Sequence, residues 1–477
     1  METRFVTDNE QLQHLYDTCL EKCRQNLNMF GPCRVLVEGG GYEKIWLETQ
    51  PMGGEMFAAY DMEAALNNSR LFLLNQRSDG RMPGSIRLAE DGSVVPEFNK
   101  FQGFCFPWHA LNMYYLTDRD PAFLSLLKTG LEGMYEYLRT FRMNPENGAF
   151  QSFCVYDTGE DNALRYGDSP CYWTEDRAPE GFRVVPMQSM DVTSWAYAAA
   201  DTLREIGQIR GREDQAEIWQ ERASHILKTL RRVFWDEEKG AAFDRDRQGR
   251  TLPQLVHNNL RCMYWGSFEP DMAQTFVKRH LLKPEEFWTP MPLPSVAVSD
   301  PDFRNAPENN WSGQCEGLTF QRAILALERY GMYGTVTEIG NRFLSALIRG
   351  GYRYTQQFDP FTGEPSRVGL MSHMPLKEGD SEPFQDAYGP TMLAALEYLS
   401  HREGLDMERE ELVCSAVRGE TFTYEREGMG HSFLLQSDGE EAVLYMDGVR
   451  QAAFPAGNRL MFYPREKEIC AVCSLEG

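Results

Sequence analysis

Apolar residues recur at i, i+3 and i+4 over roughly the first four hundred positions, and polar, glycine- and proline-rich stretches interrupt them. Leu12, Leu15, Tyr16, Cys19 and Leu20 mark a leading helix over Asn9 to Asn28. The glycine- and aromatic-rich segment Gly39 to Gly54 then delivers Trp46, Glu48, Gln50 and Glu55 to a helix expected from about Met56 to Gln76, ended by the turn Ser78-Asp79-Gly80. Ala110 to Leu116 and Pro121 to Phe141 follow as helices, the second opened by Asp120-Pro121, a cap with proline at the first helical position. Met190 to Ile209 and Arg212 to Phe234 form a pair joined at Gly211. Shorter helices fall around His257 to Trp265 and Pro270 to His280, a further pair at Gly313 to Tyr330 and Tyr333 to Ile348, and a last helix at Pro383 to Arg402. About eleven or twelve helices result, mostly in hairpins. Long loops rich in Trp, Gly, Pro, Asn and acidic residues alternate with short plain ones, as expected of a mainly α toroid with its active site at one mouth.

From about Val413 the period changes from helical to alternating. Thr421 to Glu425, Ser432 to Gln436, Ala442 to Met446 and Leu460 to Tyr463 are short β-rich runs between Glu427-Gly428, Asp438-Gly439, Asp447-Gly448 and Gly457-Asn458 turns. The expected organisation is a toroid over residues 1–410, leading helix included, and a small antiparallel β-module over 411–477. The alternating Tyr and Phe of that module read as core rather than as sugar platforms.

Composition narrows the function. The chain has 477 residues, 42% of them hydrophobic and 12% aromatic, ample for a large core. Its 48 basic and 71 acidic residues leave a net charge of -23, which repels phosphate backbones and anionic headgroups, so neither nucleic acid nor membrane is an expected partner. No secretory signal is visible in METRFVTDNEQLQH, and no run approaches a membrane span. The eleven cysteines, odd in number and scattered, fit reduced thiols in a cytoplasmic protein. Cys470-Ala-Val-Cys473 is a lone CxxC without a second pair, and the eight histidines show no HExxH spacing, so no metal or cofactor is expected.

Candidate chemistry concentrates in Tyr156-Asp157-Thr158-Gly159-Glu160-Asp161-Asn162-Ala163-Leu164-Arg165-Tyr166. The stretch lacks helical or strand periodicity and reads as an exposed loop on a rigid scaffold. Three crowded carboxylates raise one another toward the neutral form that a general acid needs; the alternative is a solvated acidic turn.

Several loops together resemble the six-hairpin glycosidase clan of trehalase, the processing α-glucosidases of glycoside hydrolase family 63 and mannosylglycerate hydrolase. Phe287-Trp288-Thr289-Pro290-Met291-Pro292 with Asp300-Pro301-Asp302-Phe303 resembles the mannosylglycerate hydrolase-like signature. Asn310-Trp311-Ser312-Gly313-Gln314 is similar to the clan's Asn-Tyr-Trp-Arg-Gly-Pro loop, and Phe358-Asp359-Pro360-Phe361-Thr362-Gly363 to its Tyr-Asp-Pro-x-Thr-Gly segment. The likeness covers about residues 45 to 402 and implies an (α/α)6 barrel. The clan's acid loop ends in Met-Asp-Asn-Ser-Pro-Arg, which Glu160 to Arg165 matches at Asp161, Asn162 and Arg165. The match implies Asp161 as general acid and Arg165 as a residue that contacts substrate or orients the carboxylates.

The clan's general base is a glutamate four residues before the proline of Asp-Pro-x-Thr-Gly, and here that position is Gln356, with Gln357 beside it. A glutamine cannot take a proton from water. Glu382, Glu316 and Asp386 are the substitutes considered, each otherwise a capping or solvated charge near a helix start. Ser312 stands where the clan has arginine, implying a different substrate contact. The expectation is an exo-acting, inverting glycoside hydrolase on a small soluble, α-linked glycoside. Trp108, Trp288 and Trp311 would serve as sugar platforms, and Asn310, Gln314, Gln356 and Gln357 would bind hydroxyls. A phosphorylase or lyase on the same toroid, or a catalytically silent sugar-binding protein, is the rival reading. Homo-oligomerisation stays open.

Overall fold

The computed structural model describes residues 3–306, 310–366 and 385–476. Among them are twelve α-helices that alternate between an outer and an inner ring: α1 (Glu10–Gln25), α2 (Gln50–Met56), α3 (Met62–Leu74), α4 (Pro107–Leu116), α5 (Pro121–Phe141), α6 (Met190–Ile209), α7 (Glu213–Phe234), α8 (Asn258–Tyr264), α9 (Pro270–Phe276), α10 (Gly317–Glu328), α11 (Tyr333–Arg349) and α12 (Gly389–Glu403). The even-numbered helices close a ring, α2 packing on α4, α4 on α6, α6 on α8, α8 on α10, α10 on α12, and α12 back on α2. This is an (α/α)6 toroid.

The two rings differ in sequence as their burial demands. Every residue of α8 is buried, as is nearly every residue of α10 and α12, so these helices bury all their faces, and the polar side chains among them, such as Asn258, Arg261 and Arg322, are buried as well. The outer helices α1, α5, α7 and α11 bury one stripe and present charge to solvent; in α7 the buried residues include Ala216, Trp219, Ala223, Ile226, Leu230 and Val233. Asp120 accepts from Ala122 N and caps α5 as expected.

The expected helix from Met56 to Gln76 is two helices. Residues Phe57 to Tyr60 turn between them, and Asp61 restarts the second by accepting from Ala64 N. The last helix begins at Gly389 rather than Pro383, because Ala387 takes a left-handed φ of 59° and Pro390 occupies the first turn. Asp386 therefore precedes this helix.

At the C-terminal end two antiparallel sheets face each other. One has the order Arg4–Thr7, Thr421–Gly428, His431–Asp438, Glu441–Met446, Val449–Pro455, and the other Gly404–Glu408, Glu411–Ala416, Asn458–Tyr463, Glu468–Ser474. Strand alternation buries Phe422, Tyr424, Phe433, Leu435, Leu444 and Met446 from the first sheet and Leu412, Cys414, Leu460 and Phe462 from the second. The strand Arg4–Thr7, which no expectation included, ties the N-terminus into this module through its pairing with Phe422 to Glu425. No described helix is long and apolar enough to cross a membrane.

Candidate active site

The inner helices start at one mouth, and the candidate residues sit at or just before those starts. Glu48 precedes α2, Gln102 precedes α4, Asp191 opens α6, His257 precedes α8, Glu316 precedes α10 and Tyr388 precedes α12. Helix N-termini carry partial positive charge, which favours a mouth lined with carboxylates.

The acidic stretch is not a solvated turn. Two short 3-10 turns, Val155–Asp157 and Leu164–Tyr166, fold it inward, and Asp157, Glu160 and Arg165 are buried. Arg142 lies 2.7 Å from Asp157, whose carboxylate also accepts from Phe101 N and Phe153 N. Burial alone would raise Asp157, but Arg142 outweighs it and holds the group below its ordinary value. Glu160 is gripped by both terminal nitrogens of Arg165, by Arg261 at 3.2 Å, His257 at 2.9 Å and Asn258 at 3.0 Å. Here too burial is overridden, by Arg165 and Arg261, and Glu160 stays ionised. The same burial pushes His257 down to about 4, so it meets Glu160 as a neutral imidazole.

Asp161 differs from these neighbours. It is half-buried and, among the described residues, has no arginine paired with it; Gln102 Nε2 donates to its Oδ1 at 3.3 Å. Burial raises it to about 6, with Gln102 and Lys100 lowering and Glu160 raising it. One loop thus holds two permanently ionised carboxylates and one that is neutral in mildly acid solution, the state a proton donor requires.

The loop's position depends on Glu48, which sequence reading placed at the start of a helix without a role. Arg322 lies 2.5 Å from Glu48 Oε1, and Arg261 bridges Glu48, Glu160 and Asp191. Gly159, at φ 77°, rests directly on the Glu48 carboxylate, and a Cβ there would overlap both oxygens. Burial raises Glu48 to about 7 against the pull of Arg322 and Arg261. Further residues that sequence reading left out are Glu38, Tyr42 and Tyr388. The Tyr388 hydroxyl donates to Glu38 at 3.1 Å, and the Tyr42 hydroxyl donates to Gln356 Oε1 at 3.2 Å. Burial raises the Tyr42 hydroxyl well above its ordinary value, and the charges of Glu38, Asp161 and Glu316 add to the rise. The run Gly39-Gly40-Gly41, each at positive φ, was the available signal.

The other expected residues divide. Glu316 is buried at the mouth, on a two-residue strand paired with Gln357 and Phe358. Asn162 accepts from Trp311 N, and the buried Trp311 ring lies 5.6 Å from His257. Asn310 opens the turn Asn310–Ser312. Gln314 is buried, bonded to Asn305 and Ser366. Arg165 is committed to Glu160 and Asp244 and so orients carboxylates. Asp386 lies 2.6 Å from Lys22 and caps Tyr354 N, a structural ion pair with α1. Trp288 lies under Arg342, and Trp108 under Arg409 in a separate cleft of about 330 Å³ that contains no acid-loop residue. Glu382 lies outside the described residues. Cys470 and Cys473 stand three apart on one strand, Cys470 at a bulge in its pairing, and both are free. Two groups of suitable metal-ligand spacing, Glu328-His401-Glu408 and Glu397-His401-Asp406, lie at the junction with the β-module. The Arg459 guanidinium already sits there, against Glu328 and 2.9 Å from His401, so the cluster is an ion-pair network.

A toroid whose inner-helix starts carry carboxylates, with a protonatable aspartate on the loop before α6, has the groups that acid-assisted cleavage of a glycosidic bond requires. The mannosylglycerate hydrolase MGH1-like glycoside hydrolase domain model matches residues 55–381, and the chain belongs to this family of glycosidases. Among solved structures it is similar to a sialidase, with TM-score 0.71 and 13% identity over 96% of this chain; the chain spans 41% of that protein's length. It is also similar to the GH63 mannosylglycerate hydrolase of Thermus thermophilus in complex with glucose, with TM-score 0.61 and 15% identity over 80% of this chain and 99% of that one. The neutral trehalase from Saccharomyces cerevisiae aligns with TM-score 0.57 and 13% identity over 79% and 76% of the two chains. A search of curated proteins finds no match.

Proposed function

We propose that this glycosidase cleaves a small soluble, α-linked glycoside in exo fashion with inversion, and that Asp161 is its general acid. The observation that carries the reading is the contrast within one loop. Asp157 and Glu160 are locked to arginines, whereas Asp161 has only Gln102 as hydrogen-bond partner among the described residues and is raised to about 6. Asp161 would give its proton to the leaving oxygen as the glycosidic bond breaks, and a second carboxylate of the mouth would take a proton from the attacking water. Asn162 and Trp311, joined by a hydrogen bond, would line the sugar subsite. Mannosylglycerate hydrolase and trehalase among the structural neighbours support a small glycoside as substrate. Eleven free cysteines are consistent with a cytoplasmic location. No step calls for a metal or organic cofactor.

The test is hydrolysis of a panel of aryl glycosides and disaccharides by the wild type and by Asp161→Asn, with the first-formed product anomer read by NMR. Turnover by the wild type, a loss of roughly 10²–10⁴-fold in the variant and an inverted anomer are expected. A fully active Asp161→Asn enzyme would remove the assignment. Sugar binding without turnover across the panel would favour the silent binder instead, the reading to which Gln356 lends weight.

A further inference from the structure

Gln356 leaves the water-activating position without a carboxylate, and the structure brings another chain segment to that place. The hairpin Glu38-Gly39-Gly40-Gly41-Tyr42 docks against Gln356, which immediately precedes the strand Gln357–Phe358. Gln385 clamps the two together: its Oε1 accepts from Gln356 N at 2.7 Å, and its Nε2 donates to Gly40 O at 3.1 Å. Gly40 N donates to Ala387 O, Gly389 N donates to Glu38 O, and the Tyr42 hydroxyl reaches Gln356 Oε1. A Cβ on Gly39 would overlap Ala387 O, and one on Gly389 would press on Glu38 O, so only glycines allow so close an approach.

Of the carboxylates at this mouth, Glu48 and Glu160 are held by arginines. Glu316 is wholly buried in the strand pair beneath. Glu38 is different. Among the described residues its side chain has one hydrogen-bond partner, the Tyr388 hydroxyl on Oε1, and no ion pair, which leaves Oε2 for a water. Burial raises its carboxyl well above the ordinary value, and the charges of Glu48 and Asp161 raise it further, so Glu38 is a strong base once ionised. Glu38 also precedes the stretch matched to the family, residues 55–381.

We propose that Glu38 is the general base of this enzyme, supplied by the glycine hairpin in place of the carboxylate missing at Gln356, with Tyr42 and Tyr388 as its positioning residues. The inference rests on the hydrolase reading above. Glu38 takes one proton from water while the water oxygen bonds to the anomeric carbon. The bond from that carbon to the leaving oxygen breaks, and the leaving oxygen keeps the electron pair and takes the proton of Asp161. Glu38 ends protonated and Asp161 ionised, and solvent exchange restores both.

The experiment uses the full chain and 2,4-dinitrophenyl glycosides, whose leaving group needs no acid. On these Glu38→Gln should lose roughly 10²–10⁴-fold in kcat with little change in KM. Glu38→Ala with azide should regain turnover and yield a glycosyl azide of inverted anomer. An unchanged circular dichroism melt guards against misfolding, and Glu38→Asp, which keeps the carboxylate, should recover part of the loss. A larger loss in Glu316→Gln than in Glu38→Gln, or a glycosyl azide of retained anomer, would overturn the assignment while leaving the hydrolase intact. A wild type silent on every dinitrophenyl glycoside would instead overturn the hydrolase reading, and the base with it.

Discussion

Arg142 Nη1 stands 2.7 Å from Asp157 Oδ2, and both side chains are fully buried. The pair pins the front of the acid loop to the end of α5. The Arg142 guanidinium also lies 3.7 Å from the Phe153 ring centroid, so the pair is packed as well as bonded. Removing one partner leaves a buried charge with no counter-ion. Arg142→Met should therefore destabilise the protein by about 3–5 kcal/mol, seen as a lower urea midpoint at pH 7. Arg142→Met with Asp157→Asn should recover a substantial part of that loss. A double variant no more stable than the single one would show that the geometry of the loop, rather than the unpaired charge, sets the cost.

As the proposed general acid, Asp161 would act in its protonated form, and its raised pKa of about 6 would set the alkaline limit. kcat/KM for substrates with poor leaving groups should fall as pH rises through about 6. The same limb should be absent for dinitrophenyl glycosides in Asp161→Asn. Stability carries an independent sign. A carboxyl raised from 3.8 to about 6 on folding binds protons more readily in the folded state, so its contribution declines as pH rises between those values. Asp161→Asn should gain in urea midpoint relative to wild type above pH 6 and show no gain below pH 4. Equal differences at both ends would disconnect Asp161 from the shift.

His401 joins the toroid to the β-module. Burial lowers its pKa, but Glu328 at 2.6 Å more than reverses this and raises it to about 10, with Glu397 assisting and Arg459 opposing. Asp406, Glu408 and Arg426 complete the cluster. A histidine raised in the folded state stabilises it fully below its unfolded pKa of about 6.5, and that contribution is lost as pH rises through about 10. Glu397, raised to about 8, changes stability in the same direction up to that pH, and Glu408, raised to about 7, does so below it, so the wild-type urea midpoint should fall between pH 7 and 10 through His401 with Glu397 at the start. His401→Gln should flatten that fall. Parallel slopes in the two proteins would assign it to the glutamates alone.

Much of the architecture was readable from local order. A helix with one apolar stripe announces its period within two turns, so the outer helices α1, α5, α7 and α11 and the α5 cap at Asp120 emerge from spacing alone. The strand runs of the C-terminal module did so by alternation. Boundaries were harder where a turn is made of helix-forming residues, as between α2 and α3, or where a left-handed residue stops a helix without a glycine, as Ala387 does before α12.

By itself the sequence determined the helical-hairpin toroid, its strand module, and the Asp161, Asn162 and Arg165 motif within the acid loop. Only the tertiary structure decided that this loop is buried, that Arg165 is spent on Glu160 and Asp244, that Asp386 belongs to Lys22, that Glu48 lies against Gly159 of the loop, and that Tyr42 reaches Gln356 and Tyr388 reaches Glu38. The physical reason is the range of the interactions. Periodicity reports contacts within a turn or two, whereas Arg322 and Glu48 are 274 residues apart and Tyr42 and Gln356 are 314 apart; they meet because α12 closes the ring on α2.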